Sequence, residues 1–119
     1  MPDLLFIYGT LHPDRAPAEI AAVARTLTPL GPASIRGTLL DLGAYPGVLL
    51  GHAQATDVPG HLFALPEPPD ATWSKLDAYE DFRPDHPETS LFVRKLTVAT
   101  LPDRTQRRCW VYVYNQRNL

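Results

Sequence analysis

Short apolar runs separated by prolines and glycines define the pattern of this 119-residue chain. Residues 4–8 form an unbroken apolar run that stops at Gly9, which predicts a short strand buried on both faces. Within residues 16–28, apolar side chains recur with helical spacing from Ile20 to Leu27, which predicts an amphipathic helix facing a core. The chain is therefore expected to begin with one buried strand and one helix.

Three further strands are predicted in the middle of the chain, over residues 34–42, 48–50 and 58–65. The first two are separated by Tyr45-Pro46-Gly47, which is typical of a turn. The predicted strand over residues 58–65 contains Pro59 and Gly60. Proline has no backbone N–H to donate to a neighbouring strand, and glycine weakens a strand. Their presence favours an edge position or a bulge for this strand.

The last part of the chain predicts a second helix and a hairpin. The helix is expected from 71 to about 80, with Asp70 as the N-cap that accepts its first free backbone N–H groups. A polar loop over 82–89 contains two prolines, and two β-rich runs follow at 91–101 and 107–115. Because strands and helices do not alternate regularly, the pattern favours an α+β fold with a curled or closed sheet.

Composition and charge exclude some classes of partner and indicate the cellular compartment. The net charge is -2, without the basic excess that binding to phosphate backbones needs, so no nucleic-acid partner is expected. No apolar run approaches a membrane span, the N-terminus lacks the positive charge of a signal peptide, and the single cysteine, Cys109, cannot form an internal disulfide. We expect one cytoplasmic domain over residues 1–119, with no membrane partner. The four histidines lack metal-site spacing, so no metal is expected.

Glu80 is the most informative candidate for catalysis. It follows Trp73 by seven positions and Leu76 by four, so its carboxylate shares the apolar stripe of the predicted helix. Desolvation, the negative end of the helix dipole and the neighbouring Asp81 would all raise its pKa towards neutrality. A general base and acid working near pH 7 needs such a pKa. The alternative is a glutamate at a frayed helix end that reaches water.

Two other segments offer binding groups. Gly9, Thr10 and Leu11 follow the first strand, and successive backbone N–H groups in such a turn can hold a carboxylate or oxyanion, although a simple tight turn is the commoner outcome. Arg94 lies on the more apolar face of its strand and needs a partner there, for which Glu80 or an aspartate is a candidate. A structural ion pair is favoured over a catalytic role for Arg94.

Taken in order, these segments resemble the γ-glutamylcyclotransferase-like family. The similar motifs are the YG(S/T)L loop at residues 6–11, the YPG turn at 45–47, the stretch before the catalytic helix at 58–65, the LDxxE signature at 76–80 and the closing strands at 92–94 and 110–115. The resemblance spans nearly the whole chain. It implies a small, mixed, barrel-like sheet of five to seven strands with two or more flanking helices.

The resemblance also implies roles for individual residues. The essential glutamate of the family falls on Glu80, and the loop of Tyr8, Gly9, Thr10 and Leu11 would cradle a glutamyl group through backbone amides. Tyr45, Arg94 and Tyr114 are further candidates, for the pocket or for a structural role. The chain departs from the family pattern at three positions: Asp81 stands in place of a common glycine, His61 in place of a frequent glutamate and Phe92 in place of a tyrosine.

The implied reaction is an intramolecular cyclisation of a small-molecule γ-glutamyl amine or γ-glutamyl amino acid. The α-amine attacks the γ-carbonyl, the attached amine leaves and 5-oxoproline remains, without a metal or cofactor. Two alternatives remain open. One is a non-catalytic module that binds small carboxylates on the same scaffold, and the other is an interaction domain with a vestigial pocket, in which the Glu80 carboxylate would be locked to Arg94.

Overall fold

The computed structural model of the chain describes residues 2–9, 15–51 and 55–119. The elements in chain order are β1 (Leu4–Ile7), α1 (Ala18–Ala24), β2 (Thr28–Asp41), β3 (Pro46–Leu49), β4 (Thr56–Ala64), α2 (Asp70–Tyr79), β5 (Phe92–Thr100) and β6 (Gln106–Tyr114). Short 3-10 turns lie at Pro87–Thr89 and Gln116–Asn118. No helix in the described ranges is long and apolar enough to cross a bilayer.

Five strands close into a barrel, and β3 adds a sixth. The sheet order is β3-β2-β4-β1-β6-β5, and a pairing of β2 with β5 at Ser34 and Thr100 closes the ring. β1 runs parallel to β6, whereas the other pairs are antiparallel, so the sheet is mixed. The predicted α+β class, the barrel-like mixed sheet and the flanking helices are confirmed.

β1 is buried on both of its faces, as its apolar run predicts. Leu4 and Phe6 point into the barrel, where they pack with side chains of the other strands. Leu5 and Ile7 point to the opposite side and pack against the two helices. All four residues are buried, because side chains alternate across a strand and β1 has apolar partners on each side.

β4 does not occupy the edge position that Pro59 and Gly60 favour. It lies between β2 and β1, and it pairs with β1 only over His61–Ala64, so Pro59 lies outside that pairing. The register shift lies instead on β2, between Pro29 and Gly31. Gly60 is required by close packing, since a Cβ there would lie 2.5 Å from the carbonyl oxygen of Ile7.

Two helix boundaries also differ from the sequence expectation. Asp70 is the first residue of α2 and not its N-cap; Pro69 holds that position, with no side-chain capping hydrogen bond. α1 ends at Ala24, four residues before the predicted end, because β2 begins at Thr28. The early part of β2 was not predicted, since two prolines and a glycine within residues 29–32 conceal its strand character.

Candidate functional site

A cavity of about 260 Å³ opens where β1 ends, β3 and β5 begin and α2 ends. Of the eleven described residues that line it, six are aromatic: Phe6, Tyr8, Tyr45, Tyr79, Phe92 and Tyr112. The others include Gly9, Pro46 and Leu91. Among the described residues that line the cavity, Glu80 is the one with a carboxylate, and none is lysine or arginine. Over the part of the chain that the structure describes, the site is therefore an aromatic cavity with a single acid.

The end of α2 fixes Glu80 in the cavity wall. Glu80 is the C-cap of the helix, and its N–H donates to the carbonyl oxygen of Leu76 at 3.0 Å. Asp81 follows with a φ of 55°, and the N–H of Phe82 returns to the carbonyl oxygen of Asp77 at 2.8 Å. This is a Schellman ending, which normally uses glycine at the left-handed position. Asp81 adopts the same backbone without glycine.

Burial of the Glu80 side chain raises its pKa from 4.5 to about 7. Asp81, which the sequence suggested as a further cause, has an exposed side chain 3.8 Å from the Arg83 guanidinium. With a pKa of about 7, both the carboxylate and the protonated form of Glu80 are accessible at neutral pH. A group with that property can both accept and return a proton in one catalytic cycle.

Tyr8 lines the cavity, and its hydroxyl forms hydrogen bonds that link strands of the sheet. The hydroxyl donates to the carbonyl oxygen of Tyr112 at 2.7 Å and accepts from the N–H of Val48 at 3.2 Å. Burial, with the nearby charge of Glu80, raises the pKa of Tyr8 well above its usual range. Tyr8 therefore stays neutral and joins β1 to β6 and β3.

Gly9 lies beside Tyr8 in the cavity wall. A Cβ at this position would meet Cγ of Pro46 at 3.6 Å, which is an ordinary contact, so the surrounding protein does not require glycine there. The two following residues of the predicted binding loop, Thr10 and Leu11, lie outside the described residues. Their backbone amides remain a prediction from the resemblance.

Asp77 is the polar residue that sequence reasoning missed. It is buried, and its carboxylate accepts the Tyr112 hydroxyl at 2.7 Å. Nη2 of Arg94 donates to its Oδ2 at 3.3 Å, and Nε of Arg94 lies 3.3 Å from Oδ1. Asp77 follows Trp73 by four positions and precedes Glu80 by three, so the helical spacing that singles out Glu80 places Asp77 on the same face.

Arg94 therefore pairs with an aspartate, one of the two partner types considered, and not with Glu80. Its guanidinium carbon lies 4.1 Å from the centre of the Trp73 ring and 5.0 Å from that of Trp110. A guanidinium stacked on aromatic rings is stabilised by cation–π interactions, which favour its burial. Arg94 belongs to a buried polar cluster with Asp77 and Tyr112, and it is not among the residues that line the cavity.

Tyr45 and Tyr114, the remaining candidates, occupy different places. Tyr45 lines the cavity, and the centre of its ring is 5.7 Å from that of Phe92. Tyr114 packs behind Phe92, also at 5.7 Å between ring centres, and is not among the lining residues. The aromatic face of β6 thus contributes Tyr112 to the cavity and Tyr114 to its support.

A second group that sequence reasoning missed holds the loop after α2. Asn115 is buried, and its side-chain amide donates to the carbonyl oxygen of Ser90 at 2.8 Å. The N–H of Leu91 donates to the carbonyl oxygen of Asp81 at 3.0 Å. The N–H of Asn115 donates to the carbonyl oxygen of Leu91 at 3.1 Å. These bonds fix Leu91 and Phe92 in the cavity wall. Over the described ranges, no cluster of three or more His, Cys, Asp or Glu residues is arranged to hold a metal ion.

The fold is thus a closed mixed barrel with a cavity whose described lining is mostly aromatic and includes Glu80. Residues 5–119 match the family described as Gamma-glutamyl cyclotransferase, AIG2-like. The chain belongs to this family. A comparison with curated proteins finds no significant match.

Solved structures share the fold. YkqA from Bacillus subtilis aligns with a TM-score of 0.70 at 20% identity, over 97% of this chain and 36% of that one. An AIG2-like protein from Mus musculus aligns with a TM-score of 0.66 at 17% identity, over 94% and 76% of the two chains. A gamma-glutamyl cyclotransferase gives 0.65 at 12% identity, over 96% and 67%. This chain spans about a third of the length of YkqA.

Proposed function

We propose that this protein is a γ-glutamylcyclotransferase-type enzyme. It cyclises a γ-glutamyl amine or γ-glutamyl amino acid to 5-oxoproline and releases the amine, with Glu80 as general base and then general acid. The observation that carries the proposal is the placement of the Glu80 carboxylate in a cavity of about 260 Å³, with a pKa raised to about 7 by burial. The volume falls just below the range of about 300 to 1,000 Å³ typical of pockets for drug-sized ligands, which suits a smaller molecule.

The chemistry needs no external nucleophile. Ionised Glu80 takes a proton from the α-ammonium group of the substrate, and the free amine attacks the γ-carbonyl carbon to form the new ring C–N bond. The bond from that carbon to the attached amine then breaks as protonated Glu80 gives its proton to the departing nitrogen. Ionised again, Glu80 takes the second proton from the ring nitrogen and passes it to the released amine, which leaves as an ammonium ion. Proton transfer by a positioned group of this kind typically contributes about 10² to 10⁴ in rate.

The cavity supplies the geometry that this cyclisation requires. Holding the amine and the carbonyl close together in a fixed conformation can be worth about 7 to 11 kcal/mol of the barrier. Tyr8 and Gly9, the first residues of the predicted binding loop, line the cavity, and backbone N–H groups of that loop would hold the α-carboxylate or the developing oxyanion. The hydroxyl of Tyr8 ties the end of β1 to β6 and β3.

The charge of the described lining favours a substrate amine over a ligand recognised only as a carboxylate. Glu80 attracts an ammonium group and repels an anion, and no described lining residue is a lysine or arginine. The pairing of Arg94 with Asp77 leaves Glu80 unlocked, contrary to the arrangement expected of a vestigial pocket. Both observations support the enzyme over the two alternatives.

Turnover by the purified protein tests the proposal. Incubation with γ-glutamyl amides and γ-glutamyl amino acids is expected to release 5-oxoproline, detected by mass spectrometry. Glu80→Gln should lower kcat by about 10² to 10⁴, because an amide cannot shuttle the proton. In the wild type, kcat/KM should fall as the pH drops below about 7, where Glu80 becomes protonated.

Asp81→Asn is the matched control. It makes the same carboxylate-to-amide change one residue along, on an exposed side chain, and asparagine tolerates the left-handed backbone at this position. Its kcat is expected to equal that of the wild type. Full turnover by Glu80→Gln, with its fold intact by circular dichroism, would refute the role given to Glu80.

A further inference from the structure

Tyr45, Leu91 and Phe92 form one wall of the cavity, which we call the outer wall. Tyr45 is 36% exposed, so this wall includes the place where the cavity meets solvent. If the glutamyl group lies between Glu80 and the turn at Gly9, as proposed above, the departing amine must extend along the outer wall. The chemistry of this wall therefore selects the leaving group.

From this wall we infer that the preferred leaving amine carries an uncharged alkyl or aromatic substituent, and that Tyr45 and Phe92 determine this specificity. The inference rests on the proposed function and names the substrate class of the same site. The side chains of the outer wall present two aromatic rings and one aliphatic group, and none has a formal charge. Transfer of an apolar substituent from water to such a surface is favourable.

Charged substituents lack partners at this wall. A carboxylate on the leaving amine would meet no lysine or arginine among the described lining residues, and Glu80 would repel it. A second ammonium group would need a second carboxylate, while Glu80 is already engaged with the α-amine. Burying either charge unpaired is costly, and the loss is larger than what an aromatic face returns to a partly exposed cation.

The outer wall is held by a backbone hydrogen bond and by ring packing, which lets it discriminate between substituents. The N–H of Leu42 donates to the carbonyl oxygen of Tyr45 at 3.1 Å, which closes the turn before β3. The Phe92 ring lies between those of Tyr45 and Tyr114, each 5.7 Å away between ring centres. A surface already held in place loses little conformational entropy when a ligand binds.

A matched set of four γ-glutamyl amides tests the inference. The attached amines are methylamine, butylamine, 1,4-diaminobutane linked through one nitrogen, and 4-aminobutanoate, so the last three have the same chain length and differ in charge. We expect kcat/KM for the butyl amide to exceed that for each charged analogue by about tenfold or more. Equal or higher kcat/KM for a charged analogue overturns the inference.

Variants of the wall locate the preference. Tyr45→Ala should bring kcat/KM for the butyl amide close to that for the methyl amide, mainly through KM, and Tyr45→Phe should retain the difference. Phe92→Tyr should reduce it. Leu39→Ala, a matched removal of an exposed apolar side chain that does not line the cavity, should leave the ratio unchanged. A preference that survives Tyr45→Ala unaltered would remove Tyr45 from this role.

Binding separates this inference from the proposed function. Calorimetry with the Glu80→Gln protein should show tighter binding of the butyl amide than of the two charged analogues. If the wild type releases no 5-oxoproline from any amide, the proposed function fails, and the same order of affinities would still support the specificity of the wall. If turnover occurs without this order of kcat/KM, or if no order of affinity is seen, the inference fails.

Discussion

Two carboxylates three residues apart, that of Asp77 in α2 and that of Glu80 at its C-cap, have opposite environments. Asp77 is surrounded by partners, with the Tyr112 hydroxyl at 2.7 Å and the Arg94 guanidinium at 3.3 Å. Glu80 faces an aromatic cavity, where burial raises its pKa to about 7. The comparison teaches that burial alone does not define a reactive acid. A buried carboxylate with a cation and a donor stabilises the fold, whereas one that faces empty space can exchange a proton with a ligand.

The sharpest test makes the same amide change at both positions. Asp77→Asn leaves the Arg94 charge without its partner and is expected to cost about 3 to 5 kcal/mol in the free energy of unfolding. Glu80→Gln at pH 8 should be neutral or stabilising, because it removes a desolvated negative charge. Urea unfolding measures both. Equal destabilisation by the two variants would abolish the distinction between the two sites.

The pH dependence of stability should isolate Glu80. Its folded pKa of about 7 lies above the value of 4.5 for an unperturbed glutamate, so the folded state binds the proton more tightly. The resulting stability is fully present below pH about 4.5 and is lost as the pH rises through about 7, a change on the order of 3 kcal/mol. Relative to Glu80→Gln, the wild type should therefore weaken over this window. A constant difference between pH 4 and 8 would contradict the raised pKa.

Tyr8 lines the cavity, but its hydroxyl is hydrogen-bonded within the protein, as is the carboxylate of Asp77 in the buried polar cluster. Tyr8→Phe removes the hydroxyl that bridges the carbonyl oxygen of Tyr112 and the N–H of Val48. Leaving these backbone groups without a partner is expected to cost about 1 to 3 kcal/mol, measured by thermal or urea unfolding. Because the ring remains in the wall, 5-oxoproline release should fall much less than in Glu80→Gln. A neutral effect on stability would show that water replaces the bridge.

Asp81 is a third carboxylate, exposed and next to Glu80. Its φ of 55° belongs to the left-handed region, which glycine adopts without strain. Asp81→Gly is expected to raise the free energy of unfolding by about 0.5 to 1 kcal/mol and to leave turnover unchanged. Urea midpoints and kcat check this pair of outcomes. A loss of stability would mean that the exposed ion pair with Arg83 outweighs the strain.

Gly9 should show the smallest effect on stability. A methyl group there makes an ordinary contact with Pro46 at 3.6 Å, so Gly9→Ala should change the free energy of unfolding by less than about 0.5 kcal/mol. KM for γ-glutamyl substrates is expected to rise, because the methyl group narrows the cavity beside the bound glutamyl group. Unchanged KM would place the substrate elsewhere in the cavity.

The sequence alone predicted those parts of the fold that depend on local patterns. β1 follows from an unbroken apolar run, α2 from helical spacing and the hairpin of β5 and β6 from two β-rich runs, and the structure confirms all three. The start of β2 was missed, because prolines and a glycine hide a strand whose pairing with β4 is supplied by the rest of the sheet. The position of β4 between β2 and β1 likewise depends on pairing between residues that are distant in the sequence.

The site divides in the same way. Helical spacing was sufficient to place Glu80 on the apolar face of α2, since side chains seven and four positions apart share a face. Asp77 follows Trp73 by four positions and precedes Glu80 by three, so helical spacing alone does not separate the two acids. Only the tertiary structure decides that Arg94 and Tyr112 reach Asp77 and leave Glu80 to the cavity, because those contacts join residues 17 and 35 positions apart.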